Sequence, residues 1–313
     1  RVDGAMSEDD SGDRPSPDPD PDPESVVETP DVGAPDEAGA ATPAPVETGR
    51  PVLLAGWTTL SSIGVGLVGL VVGFILAFVG IISLGAVGVG ATPLVILVVS
   101  LVLVQGVAFG GVALAYVTLR DRFRDATARA LDVDLGGPRH DIGWLGVRLP
   151  GLRDTAAVGL GYVVALGLGI GGAVVVSTFG LEAGSNQAAE LASRDPSVLL
   201  LLVPASFLLI GPGEELLFRG IVQGRLRGTF SAPVAVLLAS VIFAAVHYVA
   251  LSGSPRARLV TVGILIGPAL VFGTAYELTE NLVVPSLIHG AYNATLFTLL
   301  YFALRFGPQS ATI

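Results

Sequence analysis

From residue 51 onward the chain alternates long apolar runs with short polar breaks. Seven runs reach about the 20 residues that a helix needs to cross a bilayer. They lie near 60–84, 92–118, 155–179, 197–224, 232–251, 259–279 and 282–304. The pattern predicts an all-α fold, a polytopic transmembrane helical bundle of about seven or eight helices. The longest polar break runs from Arg120 to Asp154 and carries Arg120, Arg122, Arg124, Arg129, Arg139, Arg148 and Arg153. The positive-inside rule predicts a cytoplasmic position for it. Counting spans then predicts a multi-pass cell-membrane protein whose N-terminal end is cytoplasmic. Arg225 and Arg227 at the end of the fourth run fit that orientation; Arg256 and Arg258 do not. Gly69-x-x-x-Gly73 and Gly167-x-x-x-Gly171 have the spacing that lets helices approach closely. With 41 glycines in the chain they carry no functional weight.

Composition agrees with the pattern. Of 313 residues, 51% are hydrophobic and 14% charged, and mean hydropathy is +0.72. Soluble domains average about 25% charged residues. The chain has no cysteine, which excludes disulfides, thiolate metal sites and cysteine nucleophiles. All 17 basic residues are arginine. The net charge of −10 is uneven: the first 50 residues hold 14 acids against three arginines, a balance of −11, and the remainder balances at +1. The acidic, proline-rich segment 1–50 cannot bury enough apolar surface to offset its ordering entropy. It is predicted to be a disordered tail, with residues 51–313 as the transmembrane domain. It lacks the basic and apolar regions of a signal peptide. Nothing in the composition points to a nucleic-acid partner; the partner expected from it is the lipid bilayer.

Against this apolar background a few ionisable groups stand out. Glu214-Glu215-Leu216-Leu217-Phe218-Arg219 places two carboxylates and an arginine inside the fourth run. His247 falls in the fifth run, and His289 and Asn293 in the seventh. Ionisable groups at membrane depth are costly and mark function by default. At 1.5 Å rise per residue, Glu214 lies about 20 Å from the end of its run at Arg227, and His247 about 22 Å into its own. His289 and Asn293 lie about 10 and 16 Å into theirs, so the depths overlap. Glu215 and Arg219 are spaced i,i+4 and read as a structural ion pair. Glu214 points about 100° away round the helix. It is either a protonated structural acid or a catalytic one. His247 alone could be a helix-packing residue, and His289 with Asn293 could be interhelical glue. His140, in the arginine-rich break, reads as a surface histidine.

EELLFR at Glu214–Arg219, Phe243-x-x-x-His247 and His289-x-x-x-Asn293, in this order on separate apolar runs, resemble the motifs of the CPBP family. This family comprises CAAX proteases and bacteriocin-processing enzymes, is also called Abi, and is related to CAAX prenyl protease 2. The resemblance covers about 155–304. It implies an intramembrane endopeptidase of about eight spans acting on membrane-associated or prenylated, CAAX-type substrates. On this chain it implies that Glu214 and His247 activate water, and that His289 and Asn293 bind the developing oxyanion or hold the site. An Asn amide and a His N–H suit that second role. The family is described both as metalloprotease and as metal-free. Glu214, His247 and His289 make a possible Zn2+ set, three ligands with a fourth position for water, although HExxH is absent. Two rival readings remain at this level: a non-catalytic scaffold of the same family, and a proton-coupled transporter. A transporter often carries an internal repeat, and none is visible here.

Overall fold

The structure, a computed structural model, describes residues 50–132 and 145–307. The acidic segment 1–49, His140 and Arg139 lie outside them. Among the described residues, seven helices are long and apolar enough to cross a membrane. They are α1 (Pro51–Ala86), α2 (Pro93–Leu131), α3 (Leu152–Thr178), α5 (Val198–Arg227), α6 (Ala232–Ala250), α7 (Pro255–Thr279) and α8 (Val283–Phe306). An eighth, short helix, α4 (Gln187–Ala192), sits in the α3–α5 connection. Two-residue strands β1 (Ser185–Asn186) and β2 (Leu251–Ser252) pair antiparallel and tie that connection to the loop after α6. The all-α polytopic architecture read from the sequence is therefore found.

The helix starts follow local chemistry. Thr92 caps α2 by accepting from the Val95 N–H, and Ser254 caps α7 by accepting from the Ala257 N–H, each with proline at the first helical position. One boundary differs clearly from expectation. Helix α2 runs to Leu131 rather than ending near 118, so the first part of the arginine-rich break is helical. Hydropathy marks the membrane edge, whereas Leu, Arg and Ala keep the helix going beyond it.

Helix α5 is the central element. Over its most apolar stretch 56% is buried, against 17–39% for the other spans. One apolar cluster joins it to α1, α2 and α6 through Phe109, Leu217, Phe218 and Phe243. A second, built on Phe272, Ile288 and Tyr292, joins α3, α7 and α8. Pro204 removes a backbone donor inside α5, and the helix widens to a π-helical turn over Ser206–Ile210. A second π-helical stretch, Leu216–Gln223, begins directly after the two glutamates. Such widened turns inside helices often accompany functional positions.

Two glycines set how close the neighbours of α5 come. A Cβ on Gly213 would run into the Gln105 backbone carbonyl of α2. A Cβ on Gly290 would lie 2.8 Å from the Phe207 ring and 3.0 Å from the Ser206 carbonyl. Only a residue without a side chain permits either approach. Together they bring Gln105 and His289 up to the glutamates.

Candidate active site

Four helices converge on Glu214 and Glu215, whose residues are 5% and 0% exposed. The Glu214 carboxylate is held at one oxygen: Gln105 Nε2–H donates to its Oε1 at 2.8 Å. Its Oε2 faces two imidazoles, His247 Nε2 at 3.7 Å and His289 Nε2 at 3.9 Å. These separations leave no direct hydrogen bond and suit one intervening atom.

The far side of each imidazole fixes what its near side can do. His247 Nδ1–H donates to the Phe243 carbonyl at 2.7 Å, and the two rings lie 4.6 Å apart. A carbonyl only accepts, so the proton sits on Nδ1 and the neutral ring presents a lone pair at Nε2. His289 Nδ1–H donates to Glu215 Oε1 at 2.8 Å. Its ring stacks on Phe272 at 4.7 Å and meets the edge of Phe243 at 5.8 Å. With neutral rings, three acceptors thus converge without a donor: Glu214 Oε2, His247 Nε2 and His289 Nε2. Glu214 Oε2 is buried and has no hydrogen-bond partner among the described residues. Unsatisfied buried acceptors are costly, so the site calls for a guest that supplies protons or positive charge.

Glu215 makes a different set of contacts. Its Oε2 pairs with Arg219 Nε at 2.9 Å, both side chains fully buried. The guanidinium lies 4.8 Å from the Phe243 ring centre and 5.8 Å from that of Phe272. The expected ion pair is present. The contact of Glu215 with His289 was not expected and makes the pair a support for the imidazole. Carboxylate–imidazole contacts of this kind fix tautomer and ring orientation.

The motifs therefore meet as their depths predicted, with one exception. Asn293 lies one turn beyond His289 on α8, half-buried, with no side-chain hydrogen bond among the described residues. Sequence reasoning also missed Gln105. Its signal was visible, a lone amide in the apolar run Leu-Val-Leu-Val-Gln105-Gly-Val-Ala, the kind of polar intrusion that marks function at membrane depth. His247 is the exposed member of the set, its side chain 28% accessible against 5–6% for His289 and Glu214. The end of α6 beside it is anchored by Arg258, whose guanidinium donates to the Tyr248 carbonyl and lies 3.9 Å from the Tyr248 ring centre.

Among the described residues no three His, Asp or Glu groups are arranged to hold a metal ion.

No curated protein and no solved structure matches the chain. A family model does, over residues 196–295, from the start of α5 into α8. The stretch contains Glu214, Glu215, Arg219, His247, His289 and Asn293; Gln105 lies outside it. That model describes the type II CAAX prenyl endopeptidases, Rce1-like, and over these residues the chain is similar to the CAAX protease family that its motifs resemble.

Proposed function

We propose that the protein is an intramembrane endopeptidase that hydrolyses a peptide bond in a membrane-associated, CAAX-type substrate. The observation that carries this reading is the convergence of three proton acceptors on one buried point. A water there gives one hydrogen to Glu214 Oε2 and the other to His247 Nε2, which orients its oxygen lone pair outward. The oxygen adds to the scissile carbonyl carbon while Glu214 takes a proton as general base. The oxyanion is received by the Asn293 amide, while neutral His289, its Nδ1–H on Glu215, keeps its Nε2 lone pair toward the water. As the tetrahedral species collapses, the C–N bond breaks. Glu214 passes its proton to the departing amine nitrogen and is regenerated.

A scaffold role fits less well, because a scaffold has no use for a buried carboxylate oxygen aimed at two imidazoles. The test uses full-length protein in proteoliposomes with a prenylated peptide ending in a CAAX sequence, products read by mass spectrometry. Wild type is expected to release the C-terminal tripeptide, with solvent 18O entering the new carboxylate. Glu214→Gln is expected to release it about 10²–10⁴-fold more slowly. Cleavage by Glu214→Gln at the wild-type rate would overturn the assignment of the base. Wild-type protein that binds the peptide and never cleaves it would favour the scaffold.

A further inference from the structure

A second built feature lies away from the glutamates, where the start of α1, the end of α2 and the end of α5 meet. An open groove of about 340 Å³ is lined by Trp57, Val65, Val68, Tyr116, Phe123 and Arg225, among others. That volume is in the range of small-ligand pockets, about 300–1,000 Å³. The walls are apolar and aromatic, and the charge at the end of the groove is Arg225.

The partners of Arg225 set it apart from its neighbours. Arg219 is paired with Glu215, Arg227 with Glu277 at 2.6 Å, and Arg148 with Asp154 at 2.5 Å. Arg225 has no carboxylate partner among the described residues. It donates to two neutral hydroxyls, Tyr116 Oη at 2.8 Å and Ser61 Oγ, and lies 5.5 Å from the Tyr116 ring centre. Its Nε is buried and has no hydrogen-bond partner among the described residues. Ser61 in turn donates to the Trp57 carbonyl at 2.6 Å, so its hydroxyl proton is used. Tyr116 accepts from Arg225 and keeps its own O–H for another acceptor. A cation and a free donor thus stand at the end of an apolar groove that opens along the helix surface.

We propose that this groove binds an anionic phospholipid of the bilayer. The phosphate takes Arg225 and the Tyr116 hydroxyl, and an acyl chain lies along Val65, Val68 and Leu119. Charge complementarity selects the occupant. A zwitterionic lipid fills the same apolar walls and gives less to an unpaired guanidinium. Basic positions between transmembrane helices near a membrane surface hold anionic headgroups for this reason, each arginine being worth about fivefold in affinity.

The experiment uses the full chain in neutral detergent, with lipid adducts counted by native mass spectrometry and thermal unfolding followed during lipid titration. Dioleoyl phosphatidylglycerol is expected to bind about fivefold more tightly than dioleoyl phosphatidylcholine and to raise Tm more. Arg225→Gln should erase that preference, whereas Arg227→Gln should keep it. Val68→Trp, which fills the groove from its exposed wall, should lose both lipids while retaining the detergent-only Tm of wild type; it keeps the test decisive if Arg225→Gln folds poorly. Equal binding of the two lipids by wild type would overturn the proposal. So would an undiminished preference in a folded Arg225→Gln. Inorganic phosphate that displaces phosphatidylglycerol would reduce the feature to a simple anion site and also overturn it. Displacement by a geranylgeranylated peptide, with no effect from other amphiphiles, would reassign the groove to substrate.

Discussion

Glu214 and Glu215 are neighbours in the chain, yet α5 turns them toward opposite tasks. Glu215 is engaged at both oxygens: an ion pair to Arg219 on one, a hydrogen bond from His289 on the other, aromatic rings around both partners. Glu214 has a neutral amide on one oxygen and open imidazole lone pairs facing the other. A carboxylate that is fully used holds structure. One that is half-used is free to accept a proton. The two faces of α5 thus separate the frame of the site from its chemistry, and His289 belongs to both.

The sharpest way to break this comparison is to neutralise each glutamate in turn. Glu214→Gln keeps the shape and the Gln105 contact and removes the base. Turnover of a reporter peptide should fall by about 10²–10⁴, the typical contribution of a general base, with Tm in detergent near that of wild type. Glu215→Ala should act mainly on the fold. It strands Arg219 in a fully buried position, and removing one partner of a buried pair costs about 3–5 kcal/mol. Low yield and early thermal unfolding should report it. The double variant Glu215→Ala, Arg219→Leu should recover part of the lost stability, since no charge is left unpaired. Equal yields with equal loss of activity for the two single variants would contradict the division of roles.

This division was half legible in the sequence. The i,i+4 spacing named the Glu215–Arg219 pair, and the depth of each motif along its run was enough to expect Glu214, His247 and His289 at one level. Both arguments rest on one-dimensional quantities, residues per turn and rise per residue. What they could not supply is which way neighbouring helices present their faces. That Glu215 reaches His289, and that Gln105 of α2 reaches Glu214, depends on interhelical packing. Asn293 shows the limit from the other side: its spacing put it on the face of His289, yet among the described residues its side chain makes no hydrogen bond to the other three. Hydropathy also misplaced the end of α2, since a helix outlasts its membrane-embedded part.

Packing itself can be tested at Gly290. Valine there would drive a branched side chain into the Phe207 ring and the Ser206 carbonyl. Overpacking of this kind costs about 1–3 kcal/mol. Because the displaced element carries His289, activity should drop further than the lost stability alone explains. A folded Gly290→Val protein with wild-type turnover would mean that close α5–α8 packing does not position the imidazole.

The smallest expected effect is the most discriminating one for Gln105. This amide lies outside the stretch that matches the family model, and among the described residues its side chain bonds to the half-used glutamate alone. If it positions Glu214, Gln105→Leu leaves Oε1 without a donor and lets the carboxylate turn away from the imidazoles. The penalty for one unmet hydrogen bond, about 1–3 kcal/mol, corresponds to a loss of about tenfold or more in turnover. The effect should fall on kcat with KM unchanged, because Gln105 contacts the proposed base and not a bound peptide. Gln105→Asn, one methylene short of the 2.8 Å contact, should lie between the two or match leucine. A merely structural amide would instead lower Tm and leave kcat of the folded fraction intact. Steady-state kinetics and thermal unfolding on the same preparations separate the outcomes, and full kcat in Gln105→Leu would remove α2 from the active site.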